Sequence, residues 1–246
     1  MKRLLMLLLI AAATTAATPP HQHGTEALQA PPPAPGTEAV FITSSMNYPF
    51  RYGVNALKIN NRGKEFVDVE MPLGIEPRRG GRTRKPWFTL DCAGADKGHK
   101  LCAGRTGKVT VTGTLGSRSS VIFDLDGDGD LDIVTNEFNS EPQVLISDLA
   151  QRHPIHWLAV RLVGKVTNRN GLGAKVTVFA GGLRMTQRMD GASGYLSHSI
   201  LPLYFGLGDQ PRADRIEVLW PTGRKQTVAG PLDGGRTIEI VEDAAK

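Results

Sequence analysis

The apolar residues of this chain recur with a period of two rather than 3.6. In residues 157–163 (WLAVRLV), Leu158, Val160 and Leu162 fall on one face and Arg161 on the other. Successive side chains of a β-strand point to opposite faces of a sheet, so this alternation indicates a half-buried strand. Because no stretch has the pattern of an amphipathic helix of three turns, the chain is predicted to be all-β.

Similar short runs recur at intervals of roughly 10–20 residues along most of the chain. Glycine, aspartate, asparagine and proline separate them, as expected for turns. Spacing of this kind, with glycine-rich turns, is typical of β-sandwiches and of the blades of β-propellers. The other predicted strands are 108–113, 120–123, 132–135, 143–146, 174–180, 215–220 and 237–241.

The first 17 residues have the three parts of a secretory signal peptide. Lys2 and Arg3 give a positive start, Leu4 to Ile10 form an apolar run, and Ala11 to Ala17 form a small-residue tail. The apolar run is too short to cross a hydrocarbon layer of about 30 Å, although an uncleaved anchor is the alternative interpretation. We expect a cleaved signal and a secreted, periplasmic or cell-surface protein without a transmembrane segment.

Two further boundaries divide the remaining chain. Residues 18–37 are rich in proline and poor in large apolar side chains, so they are predicted to form a disordered linker. Pro154 interrupts the strand pattern near residues 150–156, because proline disfavours the middle of a sheet. The predicted units are therefore 38–150 and 155–243.

The charge of the chain is weakly basic. Its 29 Lys and Arg residues exceed its 24 Asp and Glu residues, and removal of Lys2 and Arg3 lowers the net charge from +5 to about +3. This bias is too weak to indicate a nucleic-acid partner. One local cluster is predicted to be a solvated loop, with a site for an anionic polymer as the alternative; it comprises Arg78, Arg79, Arg82, Arg84 and Lys85.

The only two cysteines are Cys92 and Cys102. In an exported protein such a pair favours a local disulfide bond. The alternative is a metal site that combines both thiolates with His99, but a fourth ligand is not near in the sequence.

An acidic segment, Asp124-Leu-Asp-Gly-Asp-Gly-Asp-Leu-Asp132, places a carboxylate at every second position. A hard divalent cation takes six to eight oxygen ligands, and alternate residues of a tight loop can direct several oxygens inward. Gly127 and Gly129 allow the backbone to curl, because glycine tolerates positive φ. The segment predicts a Ca²⁺ site formed by the side chains of Asp124, Asp126, Asp128 and Asp132 and by the main-chain carbonyl of Asp130.

Electrostatics support a bound cation at this segment. Five carboxylates lie within nine residues, and no lysine or arginine occurs between Arg118 and Arg152. The repulsion between them would couple cation binding to folding of the loop. Thr135 stands where an EF-hand carries its bidentate glutamate, and apolar runs flank the segment, so a strand–loop–strand site is predicted. An acidic turn without an ion and a magnesium site are the alternatives.

Several motifs resemble known modules. Residues 120–136, which contain VIFDLDGDGDLDIVTN, resemble the core of an FG-GAP/VCBS repeat, a calcium-binding propeller unit, and residues 55–61 and 64–68 resemble the strands that join two such repeats. The C-terminal motifs resemble those of the ASPIC/UnbV domain; they are HWLAVRLV (156–163), NRNGLGAKV (168–176), GASGYLSHS (191–199), FGLG (205–208) and IEVLWPTG (216–223). This combination occurs in the cartilage acidic protein family and in many exported bacterial proteins.

The resemblance implies propeller-type strands followed by a β-sandwich-like domain. A closed propeller of this class needs about seven blades, whereas residues 38–150 supply two at most. Because open strand edges need covering, we expect a partial propeller packed against the C-terminal domain, and association with other chains is the alternative.

Catalytic residues are not identifiable in the sequence. Ser193, Asp190 and His198 could be drawn as a triad, but the spacing around Ser193 does not fit G-x-S-x-G and no strand–turn–helix surrounds it. The expected function is a non-catalytic, calcium-binding interaction or adhesion module for an unknown protein or glycan. The alternative is a carbohydrate-binding accessory or an enzyme acting on extracellular polysaccharide.

Overall fold

A computed structural model of the chain describes residues 2–3, 39–44, 52–60, 64–78, 83–138, 140–192 and 197–243. Nearly all of the regular secondary structure in these residues is β-strand, which confirms the predicted all-β class. The predicted linker and nearly all of the predicted signal peptide lie outside the described residues. In the described part of the chain, no helix is both long enough and apolar enough to cross a membrane.

The described residues include sixteen β-strands. In chain order they are β1 (Lys2–Arg3), β2 (Ala39–Ile42), β3 (Ala56–Asn60), β4 (Phe66–Asp68), β5 (Arg84–Asp91), β6 (Lys108–Thr114), β7 (Ser117–Phe123), β8 (Asp132–Glu137), β9 (Gln143–Ile146), β10 (Trp157–Val163), β11 (Lys175–Ala180), β12 (Leu183–Arg188), β13 (Leu203–Gly206), β14 (Arg212–Leu219), β15 (Lys225–Asp233) and β16 (Arg236–Val241). A 3₁₀ helix, Lys100–Cys102, follows β5, and the helix α1, Leu149–Arg152, follows β9.

The N-terminal strands form three small sheets, in the orders β1-β9-β8-β7, β2-β3-β4 and β5-β6. Leu57 of β3 and Ile75 share a buried cluster with Ile133 of β8 and Leu145 of β9. The first two sheets therefore pack on one another through a common core. Among the described strands, none of these sheets closes into a ring.

The C-terminal strands form a sandwich of two sheets, in the orders β13-β10-β16 and β12-β11-β14-β15. Leu158, Val160 and Leu162 of β10 are 0–4 % exposed and face Val176 and other apolar residues of the second sheet in one core. The face assigned to β10 from the sequence is therefore correct. The parallel pairing of β10 with β16 brings the end of the described chain back beside the start of this unit.

Cys92 and Cys102 form a disulfide bond, as predicted. Both sulfurs are buried with Leu90 and Val111 in a small core of the β5–β6 hairpin. His99 caps the 3₁₀ helix, where its Nδ1 accepts a hydrogen bond from the Leu101 amide (3.2 Å). Because the disulfide leaves no thiolate, the alternative of a metal site at these cysteines is wrong.

The solvated loop predicted for the basic cluster is wrong at Arg78, which is 5 % exposed, and at Arg84 and Lys85, which belong to β5. Arg79 and Arg82 lie outside the described residues. The Arg78 guanidinium pairs with the carboxylate of Glu137 and donates a hydrogen bond to Ser117 Oγ (2.9 Å). Glu76, which is fully buried, accepts a hydrogen bond from the Asn55 amide (3.1 Å) and lies 3.8 Å from Arg78 Nε. Arg78 is buried because it compensates two buried carboxylates that would otherwise be costly.

Arg78→Met is expected to lower the free energy of unfolding by about 3–5 kcal/mol, because it leaves the buried carboxylate of Glu137 without its counter-charge. Chemical denaturation followed by circular dichroism measures the change. Arg84→Met is the matched control, since Arg84 is exposed and in the same cluster. Equal losses in the two variants would contradict a specific role of the buried pair.

Candidate metal centre

The acidic segment forms the connection between β7 and β8. Phe123 pairs with Asp132 at the open end of the loop, so the two strands hold both ends of the connection together. Ile133, directly after the loop, is fully buried in the N-terminal core. The strand–loop–strand arrangement predicted from the apolar flanks is therefore present.

Both predicted glycine positions have backbone conformations that favour glycine. Gly127 has φ = 83° and Gly129 has φ = 93°. At Gly129 the surroundings add a second restriction, because a Cβ atom would lie 2.2 Å from Trp157 Nε1. A side chain at residue 129 would therefore strain the backbone and displace the indole.

Three aspartates converge within the loop. Carboxylate oxygens of Asp124, Asp126 and Asp128 all lie within 4.8 Å of one another. Asp124 also fixes the curvature of the loop, since its two oxygens accept hydrogen bonds from the amides of Gly127 (2.7 Å) and Gly129 (3.0 Å). The loop is thus organised so that its carboxylates point toward each other in spite of their repulsion.

Two carboxylate oxygens of the loop are buried and have no hydrogen-bond partner, namely Asp128 Oδ2 and Asp130 Oδ1. A buried oxygen that carries negative charge and lacks a partner is costly. An oxygen-binding divalent cation would satisfy such atoms, and a set of carboxylates and carbonyls is the donor chemistry that Ca²⁺ prefers. The residues present therefore fit a calcium ion.

Asp132 and Asp130 lie outside the converging group and connect the loop to the segment after β9. Asp132 is fully buried, and its two oxygens accept hydrogen bonds from the amides of Leu125 and Ser147, both at 2.8 Å. Asp130 Oδ2 accepts a hydrogen bond from the Ala150 amide of α1 at 2.8 Å. Three of the four predicted side-chain ligands thus come together, and the ligand roles of all five aspartates stay predictions.

Burial raises the pKa of Asp130, and its neighbours Asp128 and Asp132 raise it further, although hydrogen bonds from Ala150 and Ser147 oppose the shift. The pKa of Asp132 is raised in the same way, chiefly by burial. Both shifts mean that burial and the neighbouring carboxylates disfavour the ionised forms of Asp130 and Asp132. A bound cation would lower both pKa values, because a nearby opposite charge favours the ionised carboxylates.

The C-terminal sandwich contacts the loop directly. Tyr204 of β13 donates a hydrogen bond from its hydroxyl to the Gly129 carbonyl. Its ring stacks on Trp157 of β10, with centroids 5.3 Å apart and an interplanar angle of 14°. Burial and the nearby carboxylates of the loop raise the pKa of Tyr204, so the phenol remains a hydrogen-bond donor at neutral pH.

The partners that position the loop are mostly invisible in the sequence. Ser147, Ala150 and Tyr204 lie 15 or more residues from the atoms that they contact, and no motif marks them. Trp157 could be recognised only as a half-buried aromatic residue. Of the rejected triad, Ser193 lies outside the described residues, and Asp190 accepts a hydrogen bond from the Ala192 amide (2.9 Å) in a local turn.

The fold and the loop define an all-β protein with an acidic strand–loop–strand site and a C-terminal sandwich. Residues 164–246 match the family model described as ASPIC and UnbV. This match supports the ASPIC/UnbV domain predicted for the C-terminal part of the chain. The matched region begins just after β10, but the apolar residues of β10 also belong to the core of the sandwich. A search of curated proteins finds no match.

Tyr204→Phe is expected to lower the free energy of unfolding of the calcium-free protein by about 1 kcal/mol. The ring and its stacking remain, but the Gly129 carbonyl loses its hydrogen bond. Urea unfolding in the presence of a chelator measures the effect. Tyr204→Ala, which also removes the stacked ring, should cost more; unfolding curves of Tyr204→Phe identical to those of the parent protein would contradict the contact.

Proposed function

We propose that this chain is an exported, non-catalytic, calcium-binding module that engages a protein or glycan partner. The proposal depends above all on the acidic loop. Three of its carboxylates converge, and Asp128 Oδ2 and Asp130 Oδ1 are buried without hydrogen-bond partners. A divalent cation is the simplest group that would satisfy these atoms.

The ion would be held by the side chains of Asp124, Asp126 and Asp128, with the Asp130 carbonyl and the Asp132 side chain completing the set. Its charge would offset the repulsion among these carboxylates. Because the Gly129 carbonyl and the Tyr204 hydroxyl are hydrogen-bonded, ordering of the loop would also stabilise the contact with the C-terminal sandwich. In this proposal the ion is structural and prepares neighbouring surfaces for a partner.

Sequence resemblance and the disulfide support the same proposal. The loop and its flanking strands resemble an FG-GAP/VCBS unit, and the small open sheets before it are what a partial propeller would leave. The ASPIC/UnbV match is in keeping with an extracellular or interaction module. A disulfide between Cys92 and Cys102 fits an oxidising compartment outside the cytosol.

A second candidate, a carbohydrate-binding accessory to polysaccharide breakdown, is favoured by aromatic side chains on the β5 strand. Trp87 and Phe88 are 39 % and 36 % exposed, and their rings meet edge to face at 4.9 Å. Aromatic surfaces of this kind can stack on sugar rings, since one side of a sugar is apolar. The pair lies on a hairpin rather than in a groove, so we rank this candidate second.

Calorimetric titration of the chelator-treated protein with CaCl₂ tests the primary proposal. Asp128→Ala should weaken Ca²⁺ binding by about 100-fold or more, because loss of a direct ligand should exceed the 10–100-fold effect of outer-shell partners. Asp209→Ala, which removes an exposed aspartate outside the loop, is the matched control and should titrate like the parent protein.

An unchanged titration of Asp128→Ala would refute calcium binding by the loop. Titration with MgCl₂ separates the two hard cations. Mg²⁺ requires near-octahedral geometry and retains its waters, so its binding should be much weaker. Equal affinity for Mg²⁺ would assign the site to magnesium instead.

A further inference from the structure

The outer face of the sheet β12-β11-β14-β15 is a regular array of polar and basic side chains. Val176, Val178, Ile216 and Val218 point into the core of the sandwich. Because side chains alternate along a strand, the residues between them point outward. On the edge strand β12 the exposed residues alternate with half-buried ones in the same way.

The strand register arranges this outer face in three rows. Neighbouring strands are about 4.8 Å apart and alternate residues of one strand about 7 Å apart, so the array covers about 14 Å by 14 Å. Read from β12 to β15, the rows are Arg184–Phe179–Arg215–Ala229, Thr186–Thr177–Glu217–Thr227 and Arg188–Lys175–Leu219–Lys225.

Five of these twelve side chains are basic and one, Glu217, is acidic, so the face carries a net charge of +4. Glu217 is paired with Arg215 at 2.9 Å. Within the described part of the chain, the other four basic side chains have no ion-pair partner; they are Arg184, Arg188, Lys175 and Lys225. The whole chain has a net charge of only +5, so this small face concentrates its positive charge.

Hydroxyl groups occupy the middle of the array. Thr186 and Thr227 are exposed, whereas Thr177 is only 5 % exposed and is hydrogen-bonded to Thr186 at 3.0 Å. The one aromatic side chain of the array, Phe179, is covered by the Arg215 guanidinium at 3.5 Å from its ring centroid. The face therefore offers charge and hydroxyls rather than an open aromatic platform.

The charge, hydroxyl and aromatic content of this face indicates which class of polyanion it would bind. A membrane-binding face combines basic residues with apolar side chains that enter the bilayer, and none of the exposed large apolar residues lies in this array. Single-stranded nucleic acid is bound through bases stacked on free aromatic rings, and Phe179 is not free. A hydroxyl-rich chain with regularly spaced anionic groups matches the face best.

We propose that this face binds an acidic polysaccharide. Carboxylate or sulfate groups would pair with the arginine and lysine side chains, and Arg184 and Arg188 offer bidentate geometry. Sugar hydroxyls would hydrogen-bond the exposed threonines, Thr186 and Thr227. The inference rests on the proposed interaction function and names the chemistry of its glycan partner. It places the binding face on the ASPIC/UnbV domain and away from the acidic loop.

Titration of the full chain with heparin, which carries sulfates and carboxylates, tests the inference, with neutral dextran as the reference. The double variant Arg184→Gln/Arg188→Gln should bind heparin about tenfold more weakly, because two surface charge contacts are lost. Arg161→Gln/Arg169→Gln is the matched control, since both arginines are exposed, Arg161 on the opposite sheet and Arg169 in the loop after β10. The control should change the affinity less than twofold, and added salt should weaken binding in every case.

Equal heparin affinities of the two double variants, or equal binding of dextran, would overturn the inference. Tighter binding to phosphatidylglycerol vesicles or to an oligothymidylate, lost in the Arg184→Gln/Arg188→Gln variant, would instead assign the face to a membrane or to nucleic acid. A calcium titration of the same variant should match that of the parent protein. Failure of the heparin experiment with intact calcium binding would therefore leave the proposed calcium site untouched.

Discussion

The Asp132 carboxylate holds the centre of the N-terminal region together. Its two oxygens accept hydrogen bonds from the amide of Leu125, at the start of the acidic loop, and from the amide of Ser147, after β9. One buried side chain thus joins the loop to the segment that follows the neighbouring strand β9. These two hydrogen bonds oppose the cost of burying its charge but do not cancel it, because burial still raises the pKa of Asp132.

Buried charge recurs as a structural device in both halves of the chain. In the N-terminal half, Arg78 compensates Glu137 and Glu76 between strands that are distant in sequence. In the C-terminal half, burial alone would raise the pKa of Glu242, but hydrogen bonds from Thr167, Val166 and Lys165 outweigh it and lower the pKa. These hydrogen bonds to the Glu242 carboxylate hold the segment after β16 against the loop that follows β10.

The proposed calcium loop and the proposed polysaccharide face belong to different surfaces of one framework. The loop lies where the N-terminal sheets meet the sandwich, through Tyr204 and Trp157. The basic face lies on the outer side of the sheet that contains β11 and β14. An ion that ordered the junction would therefore act on the orientation of the two units rather than on the basic face itself.

The sequence by itself determined the features that depend on local pattern. The two-residue period located β6 to β11, β14 and β16, the aspartate spacing located the loop, and the cysteine pair identified the disulfide. Tertiary structure decided whatever depends on pairing between distant strands. The burial of Arg78, the contact of Tyr204 with Gly129, and the alignment of Lys175 with Lys225 across β14 all follow from long-range register, which the local sequence does not encode.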